Sequence, residues 1–139
     1  MSRDLWERAV AAAEAGLVAT IVGKTQVKAT TIDLNQAAAS YTLFTGTTQV
    51  VVVDSLVIKM PNHAAGGALT SISIQTNDAT PGIFITAAQG VVANLTAEAQ
   101  LGWTGCMYIT VGKLIQLTIG GGAEGAAHVA WVVATYHAV

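Results

Sequence analysis

The stretch KLIQLTI, residues 113–119, alternates apolar and polar side chains over its last five positions. In an extended strand Ile115, Leu117 and Ile119 would share one face, while Gln116 and Thr118 would share the other. The same period of two recurs in SISIQ, residues 71–75. Strict alternation over about four to eight residues is typical of a half-buried β-strand. The sequence therefore predicts sheets with one face in a core and a neutral polar face outside.

Further segments rich in Val, Ile and Thr, bounded by Gly, Pro, Asn or Asp, fill the chain from residue 26 onward. They predict strands at 26–33, 41–45, 48–60, 69–76, 82–87, 98–103, 106–111, 113–119 and 126–136. Short strands at such spacing favour an all-β fold, an antiparallel β-sandwich of the jelly-roll type. The predicted organisation is an N-terminal arm over residues 1–25 and one sandwich over residues 26–139.

Two segments are apolar at nearly every position, namely residues 50–58, interrupted by Asp54 and Ser55, and residues 129–134. A strand that is apolar on both sides needs cover on both, so each segment is either a central strand or part of a contact between subunits. The predicted subunit interface includes Val51, Val53, Trp131 and Val133.

Charged residues make up only 10% of the chain, whereas about 25% is usual for a soluble domain. Eight of the fourteen (six basic plus eight acidic) precede residue 34, so the predicted strands are the charge-poor part. Wide neutral surfaces predict a homo-oligomer, with a dimer favoured and a trimer possible. No basic stripe is present to neutralise phosphates, which argues against nucleic acid as a direct partner. No run reaches the roughly 18 apolar residues that a membrane-spanning helix requires.

The first sixteen residues differ from the rest of the chain, because an alanine-rich run follows Ser2 and the acidic Asp4 and Glu7. This pattern suits a short helix capped by Ser2 and ending near Gly16. Such a helix is marginal alone, so it either packs on the domain or belongs to a helical or extended arm that docks on a neighbour. The predicted partner-binding residues of this segment are Leu5, Trp6, Val10 and Leu17.

No catalytic or cofactor motif is convincing. The run Gly120-x-Gly122-x-x-Gly125 matches a dinucleotide fingerprint, but β-forming residues follow it where a helix is needed, so it predicts a turn. His63, His128 and His137 are at least nine positions apart, which predicts no metal site; His63 is assigned to a loop and the other two to the last strand. Cys106 is interpreted as a small buried residue. The sequence predicts a non-enzymatic protein without a cofactor.

Four aromatic side chains fall in predicted strands: Trp103, Tyr108, Trp131 and Tyr136. Such residues most often belong to the core or to a subunit contact. The alternative is a platform on which sugars stack.

The stretches LTSISIQTNDATPGIFI, residues 69–85, and NLTAEAQLGWTGCMYITVGKLIQLTIGGGAEGAAHVAWVVATY, residues 94–136, resemble small virion proteins of tailed bacteriophages, particularly capsid cement or decoration proteins. The resemblance implies a jelly-roll subunit, present in many copies, that binds the outside of an icosahedral shell and links neighbouring major capsid proteins. It implies a place on the exterior of the virion, after assembly in the host cytoplasm. The alternative function is a receptor- or carbohydrate-binding module of a tail fibre or baseplate.

Overall fold

Eight β-strands and one 3₁₀ turn form the regular structure of residues 24–46 and 48–139, the part of the chain that this computed structural model describes. The strands are β1 (Gln26–Asp33), β2 (Ser40–Phe44), β3 (Val51–Lys59), β4 (Ser71–Thr76), β5 (Ile83–Ile85), β6 (Gln100–Ile109), β7 (Ile115–Gly120) and β8 (Val129–Ala138). The 3₁₀ turn spans Val92–Asn94. The predicted arm lies outside the described residues, except for its last two positions.

The strands form two four-stranded sheets, in the orders β1-β8-β3-β6 and β2-β7-β4-β5, and every pairing is antiparallel. Strand β1 pairs with β8, β2 with β7, β3 with β6, and β4 with β5. This nested order results when a chain is folded back on itself between β4 and β5 and the long hairpin is then rolled into two layers. It is the arrangement of an eight-stranded jelly roll, so the predicted fold class is confirmed.

The inward side chains of both sheets form one core, and the alternation seen in the sequence selects them. In β7, Ile115, Leu117 and Ile119 are buried, while the residues between them are partly exposed. In β4, Ile72 and Ile74 are buried in the same way. Both predictions of a half-buried strand are confirmed.

Strand β3 is central in its sheet, between β8 and β6, which explains why its segment is apolar on both sides. A β-bulge at Asp54 shifts the register against both neighbouring strands. The extra residue reverses the alternation, so Val51 and Val53 face the core before the bulge and Leu56 and Ile58 face it afterwards.

Two expectations about β6 are wrong. Residues 98–103 and 106–111 do not form separate strands, because β6 runs unbroken from Gln100 to Ile109. Cys106 is exposed instead of buried. Strand β6 is unbroken because it pairs with β3 on both sides of the Asp54 bulge, and Cys106 is exposed because it lies on the outward side of β6 with Thr104 and Tyr108.

Candidate functional site

The outward side of the sheet β1-β8-β3-β6, called here the apolar face, carries an uncharged row across all four strands. The register places Ala29 of β1 beside Val133 of β8, Val133 beside Val57 of β3, and Val57 beside Gly102 of β6. None of these four residues is charged. It therefore forms an uncharged band across the sheet.

Large exposed hydrophobic side chains concentrate on this apolar face. Val27 is 65% exposed, Tyr108 58% and Trp131 50%, and Val129 is also exposed. The residues paired with them on the neighbouring strands also face outward. Val27, Tyr108, Val129 and Trp131 therefore lie on the same side of the sheet. Four of the eight large exposed hydrophobic side chains of the described residues thus lie on this face, which makes it a candidate contact surface.

Charge on the apolar face is sparse, and its charged side chains have hydrogen-bond partners within the sheet or at its margin. Strands β6 and β8 contain no Lys, Arg, Asp or Glu, β3 contributes Asp54 and Lys59, and β1 contributes Asp33 at its end, opposite Val129. The Oδ2 atom of Asp54 lies 2.8 Å from Nδ1 of His137. The Nζ of Lys59 donates to the backbone carbonyl of Glu98 at the sheet margin. A partner covering the centre of this face would not have to desolvate a free charge.

The outward side of the other sheet, called here the polar face, is different in character. It presents Ser, Thr and Gln, as the partly exposed positions of β4 and β7 show. Across β2 and β7 the hydroxyl oxygens of Ser40 and Thr118 are hydrogen-bonded at 2.8 Å. Neighbouring hydroxyls satisfy each other there, so this face is the better adapted of the two to water.

The predicted interface residues divide between the core and the surface. Trp131 and Val133 lie on the apolar face, and their contact with another subunit stays a prediction. Val51 and Val53 are fully buried within the sandwich, so their side chains offer no surface to a partner. The outward positions of β3 are Val52 and Val57 instead. The predicted partner-binding residues Leu5, Trp6, Val10 and Leu17 lie outside the described residues.

The aromatic side chains do not form one sugar-stacking platform. Tyr136 is buried in the core. Trp103 packs edge-on against Phe84, with ring centroids 4.8 Å apart. Tyr108 pairs with Val52, and Val52 pairs with His137 on its other side. Tyr108 therefore lies level with His137, which is six residues, about 20 Å, along the sheet from Trp131. The two exposed rings are therefore too far apart for neighbouring sugar units to stack on both.

A second feature lies at one end of the sandwich, where the β3–β4 and β7–β8 connections meet. His63 Nε2 and His128 Nδ1 are hydrogen-bonded at 2.9 Å, and Glu124 Oε1 lies 4.0 Å from the same His128 nitrogen. His128 and Glu124 are buried, whereas His63 is exposed. We call these three residues the histidine cluster. Its donor atoms all lie within 4.8 Å of one another.

Backbone contacts hold the histidine cluster in place. The N–H of His128 donates to Asp33 Oδ1 at 3.0 Å, and the His128 carbonyl accepts from Leu34 at 3.0 Å. Hydrogen bonds from the N–H groups of His128 and Asn35 keep the pKa of Asp33 below its usual value. Burial lowers the pKa of His128, and His63 lowers it further against the opposing effects of Glu124 and Asp33. The surroundings of His128 therefore favour the neutral form of its ring.

The positions of the histidines in the sequence do not predict this cluster, because His63 and His128 are 65 positions apart. The only local signal is the separation of Glu124 and His128 by four residues. His63 lies in a loop as predicted, and His137 lies in the last strand. His128 immediately precedes β8. The structure also confirms that Gly120 to Gly125 leads into a strand and not into a helix.

The described residues contain no hydrogen-bonded pair of a histidine with a serine or cysteine. The ring of His137 bonds to Asp54, and those of His63 and His128 bond to each other. Within the described part of the chain, no helix is long and apolar enough to cross a membrane.

The strand order places the described part of the chain in the class of antiparallel jelly-roll sandwiches. Among solved structures, it is similar to a chain of the acidic stable capsid of Helicobacter pylori bacteriophage KHP30, with a TM-score of 0.61 and 12% identity over 84% of this chain and 90% of that one. A chain of the cyanophage Pam1 capsid matches with a TM-score of 0.57 and 18% identity, over 90% and 94% of the two chains.

A chain of the Ralstonia phage GP4 capsid also matches, with a TM-score of 0.54 and 15% identity over 88% of this chain and 89% of that one. With sequence identities this low, the three matches show a similar fold only. No protein-family model matches the sequence, and no curated protein matches it either.

Proposed function

We propose that this protein is a non-enzymatic structural virion protein, which binds the outer surface of a phage capsid and cements neighbouring major capsid proteins. The observation that carries the proposal is the extent of the fold match. It covers about nine-tenths of each of three phage capsid chains, which are therefore similar in size to this chain. The charge-poor apolar face adds a surface suited to assembly. In this proposal the protein acts on the exterior of the virion, after assembly in the host cytoplasm.

Two separate surfaces serve this function in our proposal. The apolar face packs against a second copy of the chain, since a twofold dimer brings the same patch of both copies together. The N-terminal segment, with Leu5, Trp6, Val10 and Leu17, binds the major capsid protein. A specific contact needs only about 1,200–2,000 Å² of total buried area. Many copies of such a contact reinforce a shell.

Deleting residues 2–16 is expected to weaken attachment to the capsid at least about 10-fold while leaving the sandwich folded, because the removed residues precede β1. The measurement is co-sedimentation of the purified protein with capsids assembled without it, over a range of protein concentrations. Thermal unfolding of the truncated protein serves as the control for folding. Unchanged attachment would remove the N-terminal segment from the proposal, and no binding by the full-length chain would overturn the cementing function itself.

A receptor- or carbohydrate-binding module of a tail fibre or baseplate is the alternative, and the exposed Trp131 and Tyr108 are its only structural support among the described aromatic residues. Their separation along the sheet argues against it. We expect the protein to bind no glycan on an array, and saturable glycan binding that Trp131→Ala abolishes would favour the alternative.

A further inference from the structure

The histidine cluster is not explained by the proposed role in capsid assembly. Its three residues come from two connections on different parts of the chain, and their side chains converge at one end of the sandwich. The geometry points to a binding site for a divalent transition-metal ion of the zinc type, with His63, Glu124 and His128 as its ligands. The bound ion would tie the β3–β4 connection to the β7–β8 connection.

The donor set has the chemistry of a zinc site. Two imidazole nitrogens and one carboxylate oxygen are a ligand set that zinc accepts in proteins, with a fourth position left for water. Imidazole also suits copper and nickel, whereas calcium and magnesium prefer sites built from oxygen alone. His63 is exposed, so an ion can reach the cluster from solvent.

The distances fit a single ion after small side-chain movements. Bonds of about 2.0–2.1 Å to a tetrahedral zinc ion set neighbouring donor atoms about 3.3 Å apart. The separation of His63 Nε2 and His128 Nδ1 is 2.9 Å, and that of His128 Nδ1 and Glu124 Oε1 is 4.0 Å. Nδ1 is the atom with which His128 can bind, because its Nε2 is buried with no hydrogen-bond partner among the described residues.

The buried carboxylate supplies an independent reason for a cation. Glu124 is only 9% exposed, and its Oε2 accepts from the backbone N–H of Ala126 at 2.9 Å. Within the part of the chain that the structure describes, no lysine or arginine forms an ion pair with it. Buried carboxylates are normally paired with a positive charge or bound to a metal. A divalent ion between Glu124 and the two imidazole rings would provide that charge.

The backbone around the cluster is already ordered by contacts that need no ion. The N–H of Ala68 donates to the carbonyl of Ala123 at 3.0 Å, which joins the two connections. The N–H of Glu124 donates to the Leu34 carbonyl at 3.3 Å. An ion that meets ligands on an ordered backbone loses little of its binding free energy to ordering the chain.

The test is a titration of the full-length protein, freed of metal with a chelator, with Zn²⁺ in a calorimeter. We expect one ion per chain with a dissociation constant of about 1 µM or below, and a higher thermal midpoint with the ion bound. Substituting Co²⁺ should give the visible absorption of a four-coordinate ion. His63→Ala and Glu124→Gln should each weaken Zn²⁺ binding at least about 100-fold, since loss of supporting outer-shell groups alone costs about 10–100-fold.

His137→Ala is the matched control, because it removes the histidine on the apolar face that pairs with Asp54 and leaves the cluster intact. His63 is an exposed loop residue, so its substitution tests binding even if Glu124→Gln fails to fold. A wild-type protein that binds no Zn²⁺ at one ion per chain would overturn the site. Equal affinity in the wild type and in His63→Ala would do the same.

Discussion

Replacing Gly67 with alanine is expected to lower the free energy of unfolding by about 2–5 kcal/mol. Two effects add at this position. Its φ of +63° lies in the left-handed region, which costs a residue with a β-carbon about 1–2 kcal/mol. An added β-carbon would also meet the carbonyl oxygen of Glu124, a backbone atom that cannot swing away. The midpoint of urea unfolding, at an unchanged slope, measures the loss.

Two other glycines separate these effects. Gly66→Ala is the matched neutral control, because the added carbon has no atom within 4 Å and the φ of Gly66 is not positive. Gly112→Ala isolates the backbone effect, since its φ is +81° but the surrounding space is open. We therefore expect Gly66→Ala to be the least destabilised variant, Gly112→Ala to be intermediate and Gly67→Ala to be the most destabilised. If Gly67→Ala is as stable as Gly112→Ala or more stable, the contact of the Gly67 backbone with the Glu124 carbonyl does not hold the two connections together.

Replacing Val133 with glutamate is expected to weaken self-association at least about 100-fold, because an uncompensated charge buried in an interface costs several kcal/mol. Val133 lies in the middle of the uncharged row of the apolar face, between Ala29 and Val57. In a single subunit its side chain is only half-buried, so the folded chain itself should lose about 1 kcal/mol or less. Sedimentation equilibrium measures the dissociation constant, and urea unfolding of the monomer measures stability.

Ser73→Glu is the matched control for Val133→Glu, because it places the same charge on a central strand but on the polar face. We expect it to leave self-association within about threefold of wild type, as surface substitutions outside a contact usually do. Dissociation by Ser73→Glu alone would assign the interface to the wrong sheet. A wild-type chain that stays monomeric at high concentration would remove the subunit interface from the proposal.

The local pattern of apolar and polar residues was sufficient to predict most of the strands. In β7 and β4 the alternation of Ile and Leu with Ser, Thr and Gln predicted both the strand and its buried side, since side-chain direction in a strand depends only on parity. Strand β3 shows where parity alone fails. Its segment is apolar at nearly every position, so the inward set was decided by the bulge at Asp54 and by two neighbouring strands. Val51 and Val53, predicted at a subunit interface, consequently belong to the core.

The sites depended even more on distant contacts. No local rule joins His63 to His128, because the rolled hairpin is what brings the β3–β4 and β7–β8 connections to the same end of the sandwich. The exposure of Cys106 likewise depends on which side of β6 faces the other sheet, which the segment alone does not reveal.

The sequence by itself determined that this chain is an all-β sandwich with charge-poor strands, because period, turn residues and composition are local properties that each segment carries with it. Only the tertiary structure decided which neutral side is the apolar face, which valines are core, and that two histidines and a glutamate meet. Those outcomes depend on strand order, register and one bulge, and they arise from contacts between residues far apart in the chain.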